Sequence, residues 1–98
     1  MIIRFVKMYF KPAEINTFKT IFFESSPLIK SFPGCLDVKL LQDKLNPTIL
    51  STLSHWNSIE DLEAYRKSNL FKTTWAKTKI LFDAKPEANS FEQVKNDA

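Results

Sequence analysis

The chain carries one histidine, His55, and one cysteine, Cys35. His55 is the side chain whose ordinary pKa, about 6.5, suits proton transfer near neutral pH, so it is the candidate general base. A packing histidine at a strand end is the plainer alternative. Trp56 follows it directly. Trp56, Tyr65 and Trp75 each join a large apolar ring to one polar atom. Such residues can line a pocket for a flat aromatic ligand and orient it through the indole N–H or phenol O–H; they can equally be core. Phe71 lies in the same region and can add a wall to such a pocket. Arg4 interrupts an apolar segment, where it could hold an acidic substrate or occupy an exposed edge. Cys35 reads as a small hydrophobe in a strand, and a lone cysteine allows no internal disulfide. No Cys/His group has metal-ligand spacing. GxSxG, HExxH and Gly-rich phosphate loops are absent, and a single glycine leaves little scope for a nucleotide cradle.

Elements of regular structure must position these side chains. Residues 2–10 are rich in β-branched and aromatic types. Ile3, Phe5 and Tyr9 alternate with Ile2, Val6, Met8 and Phe10, so the strand is apolar on both faces and should be covered on both. Lys11-Pro12-Ala13-Glu14 opens a helix, with proline early and an acid in the first turn. Ile15, Phe18, Phe22 and Ile29 recur on one helix face, and Pro27 is expected to bend the helix. Ser31-Phe32-Pro33-Gly34 ends it, and Gly34 is where a left-handed backbone is expected. Residues 35–42 form a second strand, with Leu36, Val38 and Leu40 on one face. A turn over 43–47 leads to a third strand, 48–56. Ser58 and Asp61 resemble a capping box that starts a helix bearing Leu62 and Tyr65. After a break at Ser68 or Asn69, Leu70, Phe71, Trp75, Thr78, Leu81 and Phe82 recur at helical spacing. Residues 84–86 stop that helix, and a weak fourth strand is expected over 88–94.

The order β-α-β-β-α-β is that of the ferredoxin-like split βαβ fold, an α+β architecture with helices on one face of a four-stranded antiparallel sheet. One domain over residues 1–95 and a frayed tail over 96–98 are expected. Of the 98 residues, 44% are hydrophobic and nine are Phe, more apolar surface than one thin two-layer domain easily hides. A second copy of the chain covering the free sheet face would resolve the excess, so a homodimer is expected. No run approaches the roughly 18 apolar residues of a membrane span, and the first ten residues do not form an export signal, so a cytoplasmic protein is expected. A net charge of +3, with both signs interspersed, is a poor argument for nucleic acid. RNA-recognition domains share the element order, but their third strand carries a Gly-rich aromatic run that residues 48–56 lack.

The stretch Leu53-Ser54-His55-Trp56-Asn57-Ser58-Ile59-Glu60-Asp61-Leu62, continuing through Tyr65 and Ser68 to Phe71, resembles the central signature of the antibiotic biosynthesis monooxygenase (ABM) family. Phe32-Pro33-Gly34-Cys35 resembles that family's turn after the first helix, and the Ile3-Arg4-Phe5 opening followed by Lys11-Pro12 also fits. The resemblance implies a dimeric α/β barrel. It implies a cofactor-independent oxygenation of an anthrone-like or quinol-like phenol, with the substrate anion itself reducing O2 in an apolar pocket. His55 would then be the base, and Trp56, Tyr65, Trp75, Phe71 and Arg4 would bind the substrate. Many members have Glu at the position of Ser54 and His at that of Tyr65. A tyrosine, with its ordinary pKa of about 10, is a poor base at neutral pH. The positions used by the haem-degrading branch fall on Lys7, Tyr65 and Trp75, so haem degradation is not expected. With the ionisable groups of the signature lost, a non-catalytic dimer that binds a small hydrophobic ligand is the competing expectation.

Overall fold

The computed structural model describes residues 1–95; the tail expected over 96–98 lies outside them. Strand β1 (Ile2–Phe10) opens the chain, and a short 3-10 turn (Pro12–Glu14) leads into α1 (Ile15–Lys30). Strands β2 (Cys35–Gln42) and β3 (Ile49–Trp56) form a hairpin. Helices α2 (Ile59–Arg66) and α3 (Asn69–Lys79) follow, and β4 (Phe82–Glu92) completes the fold. The sheet order is β2-β3-β1-β4 with antiparallel pairing throughout, which is the ferredoxin-like α+β arrangement.

Strand alternation sorts the side chains of β1. Met8 and Phe10 are buried beneath the helices, and Ile2 and Val6 pack on the same core. Phe18, Phe22 and Ile29 of α1 meet them from above, with Leu50, Trp56 and Leu62. The helix runs through Pro27, which has no N–H to offer the preceding turn. It stops where Ser31 donates both its backbone N–H (3.1 Å) and its hydroxyl (2.9 Å) to the Pro27 carbonyl. Gly34 then takes φ +86°, the left-handed conformation expected there. Asp43 shapes the β2–β3 turn by accepting from Leu45 N–H (2.9 Å) and Asn46 N–H (2.8 Å).

Two boundaries differ from expectation. Leu81 and Phe82 do not close α3; the helix ends at Lys79 and β4 starts at Phe82, earlier than the expected strand over 88–94. Leu81 keeps its burial, but its carbonyl accepts from Lys11 N–H (3.1 Å), and Phe82 pairs with Phe10 across the sheet. Pro86 therefore lies inside a strand. β4 tolerates it because it is an edge strand with a register shift there: Lys7 faces Glu87, whereas Tyr9 faces Ala84. Val94 lies beyond β4 and is exposed. In β2, a register shift between Cys35 and Asp37 turns Leu36 outward, 52% exposed, and packs Cys35 against the core instead.

Candidate functional site

Between the sheet and the helices lies a cavity of about 310 Å³. Its floor comes from alternate residues of the strands: Arg4, Val6 and Met8 of β1, and Thr52, Ser54 and Trp56 of β3. Ile21 and Phe22 of α1, Tyr65 and Arg66 of α2, and Phe71, Thr74 and Trp75 of α3 form the opposite wall. Pro86 and Ala88, on the irregular stretch of β4, complete one side. The volume is at the small end of ligand pockets, which span roughly 300–1,000 Å³.

The aromatic side chains form a continuous wall. Trp56 stacks on Tyr65 with centroids 4.9 Å apart, and Tyr65 meets Phe71 edge-on at 5.3 Å. Phe71 stacks on Trp75 at 5.9 Å and an interplanar angle of 10°. Local signals fix these positions. Ser58 caps α2 by accepting from Asp61 N–H (3.2 Å), and Ser68 caps α3 by accepting from Phe71 N–H (3.1 Å). The second cap turns the chain between Tyr65 and Phe71, so both rings reach the same cavity. Trp56 is fully buried, and its indole N–H is already donated to Ser54 Oγ (3.0 Å). Its contribution to the cavity is therefore shape. Burial, with a smaller effect from nearby Cys35, pushes the Tyr65 hydroxyl up to about 12. At neutral pH that group is a hydrogen-bond donor and not a base.

Arg4 and Arg66 are the charged residues of the lining. Arg4 is half-buried, and one of its guanidinium nitrogens donates to Ser90 Oγ (3.0 Å). Its cross-strand neighbours are Ser54 and Ser90, so a polar row crosses the floor beside Thr52 and the apolar Val6, Met8 and Trp56. Desolvation lowers the Arg4 pKa from its usual value; the charge on Arg66 lowers it further, and Glu63 opposes both. Arg66 is more exposed and pairs with Glu63 at 3.1 Å. Nothing in the sequence singles out Arg66, because an arginine in the last turn of a helix reads as a favourable dipole partner in water.

The cavity thus gathers Arg4, Trp56, Tyr65, Phe71 and Trp75 and leaves out His55. His55 follows Trp56 in a strand, so it points to the other side of the sheet, where it lies between Ile3 and Asp37. No aspartate, glutamate, histidine, lysine or cysteine among the described residues lines the cavity. Among the described residues, no group of three or more His, Cys, Asp or Glu is placed to hold a metal ion. None of the described helices is long and apolar enough to cross a membrane.

The model of the antibiotic biosynthesis monooxygenase family matches residues 1–77. The chain belongs to the ABM family. The match spans β1 to most of α3, and with them Arg4, Trp56, Tyr65, Arg66, Phe71 and Trp75. It stops short of β4, whose Pro86 and Ala88 finish the cavity. Solved structures extend the likeness over that strand. An antibiotic biosynthesis monooxygenase superposes with a TM-score of 0.90 at 16% identity, covering 97% of this chain and 100% of the other. A conserved protein from Methanosarcina mazei Go1 also superposes at 0.90, with 25% identity over 96% of this chain and 94% of its own. No curated protein matches the chain.

Proposed function

We propose that this ABM protein is a cofactor-independent monooxygenase that oxidises a small aromatic or quinol-type substrate with O2 in the cavity beneath α2 and α3. The observation that carries the reading is an aromatic-walled cavity whose lining includes Arg4 and Arg66. For an anthrone the stoichiometry closes without a reductant. One oxygen atom becomes the new ring carbonyl, the other leaves as water, and the substrate methylene supplies all four electrons. The chain's share is to hold the ring flat between Tyr65, Phe71 and Trp75, to keep water out, and to favour the substrate anion through Arg4 and Arg66. His55 has no part in this arrangement, because the sheet separates it from the cavity.

A second reading has its own support. Among the described residues, the lining offers no side chain that accepts a proton near neutral pH, since the Tyr65 hydroxyl is held at about 12. A protein that only binds a small hydrophobic ligand would look the same. Oxygen uptake with an anthrone and a naphthoquinol, corrected for autoxidation, separates the two. The oxygenase gives uptake above background that falls about tenfold in Trp75→Ala, a loss typical of a misplaced substrate. Uptake equal to background, with the anthrone bound in a calorimeter, selects the binding protein.

A further inference from the structure

We infer that the cavity selects an aromatic carboxylate, bound as its anion through Arg4 and Arg66. This rests on the reading of the cavity as a ligand site and names the class of ligand. The argument starts from Arg4. Its side chain is half-buried, and among the described residues no carboxylate lies within ion-pair distance of it. A guanidinium in that setting has given up water, and the nearness of Arg66 adds repulsion; Glu63 offsets part of this, but it is ion-paired with Arg66 and not with Arg4. An anion between the two would relieve both costs.

Donors remain for it. A guanidinium has five N–H groups in a planar fork. Arg4 spends one nitrogen on Ser90, and Arg66 spends one on Glu63. The rest match the two oxygens of a carboxylate, which arginine binds in a bidentate way. The remainder of the lining is mainly apolar and aromatic, which suits a flat ring carrying the acid. Among the described residues, no side chain of the lining readily takes a proton. A carboxylic acid, ionised well below neutral pH, needs none to present its anion to the two guanidinium groups.

The probe pair is 2-naphthoate and its uncharged methyl ester, titrated calorimetrically into the full chain. The expected result is that the acid binds about tenfold or more tightly than the ester, as a charge-assisted hydrogen bond would give. Arg66→Gln and Arg4→Gln should each remove most of that preference, weakening acid binding far more than ester binding. Ester binding in the same variant reports whether the cavity is intact. If Arg4→Gln does not fold, Arg66→Gln, at an exposed helix end, carries the test alone. Equal affinity for acid and ester would overturn the inference and leave the ligand cavity standing. Binding of neither would overturn both.

Discussion

Tyr65 sits where the aromatic wall turns: it stacks on Trp56 and meets both Phe32 and Phe71 edge-on. Its hydroxyl pKa, raised to about 12 chiefly by burial, makes stability depend on pH with a definite sign. An unfolded tyrosine ionises at about 10, so the contribution is complete below that pH. It is lost as pH climbs through the interval to the folded value, by about 3 kcal/mol in all. Tyr65→Phe should therefore be close to wild type at pH 8 and should lose less stability between pH 10 and 12. Urea melts across that range check it. Tyr9, whose pKa is also raised, first by its hydrogen bond to Glu87, remains in both proteins and cancels in the comparison. An identical alkaline decline in the two proteins would mean that Tyr65 is better solvated than its packing indicates. At this scale the sequence is a partial guide. Five candidates meet in one cavity because large aromatics and an arginine in an apolar strand are poorly explained as surface. His55 is misplaced because neighbours in a strand face opposite ways, and nothing local says which of His55 and Trp56 faces the helices. Arg66 is missed because its meaning comes from Arg4, distant in the chain and visible only in the fold.

The elements are held in register by short contacts at their ends, and the turn at Gly34 is the most demanding of these. Gly34 joins α1 to β2, adopts φ +86°, and accepts from Asn57 N–H through its carbonyl (2.9 Å). A Cβ built on it would lie 2.3 Å from Asp61 Cγ, in the first turn of α2. Gly34→Ala thus meets two penalties, a left-handed backbone and a collision with the capped start of the helix that carries Tyr65 and Arg66. The expected loss is about 2 kcal/mol or more, read as a lower urea midpoint at unchanged slope. A midpoint within error of wild type would show that α2 can shift outward at little cost. Both the glycine and the cap were legible, since a lone glycine after Phe-Pro and a Ser58–Asp61 spacing each have one obvious use. The α3–β4 boundary was not. Leu81 and Phe82 continue the helical period, and burial alone does not distinguish a helix end from a strand start. What decides it is the long-range pairing with Phe10, supported by the edge-on contact of Phe82 with Trp75 (5.5 Å).

At the scale of the molecule, the helices cover one face of the sheet and leave the other to whatever the surroundings provide. That second face presents Ile3, Phe5 and Tyr9 of β1 beside Leu53 of β3, and at its margins Leu41 is 44% and Phe91 51% exposed. Part of the excess of apolar side chains expected from composition therefore gathers on this face, which can pair with a copy of itself, while others such as Phe23, Leu28 and Ile80 are exposed elsewhere. We propose that two chains pack these faces together into a dimeric barrel. Light scattering at micromolar concentration should return twice the chain mass of 11.4 kDa, and Phe5→Asp, which puts a charge in the middle of the face, should return the single mass. A wild-type protein of single mass would remove the barrel. The cavity lies on the other side of the sheet, between it and the helices. Assembly and ligand binding should consequently separate: the Phe5→Asp monomer should melt at a lower temperature, and its melting should not depend on protein concentration. It should still bind 2-naphthoate within a few-fold of the dimer while folded. Loss of binding in a folded monomer would mean that the second chain shapes the site through the sheet, a coupling the separation of the two faces argues against.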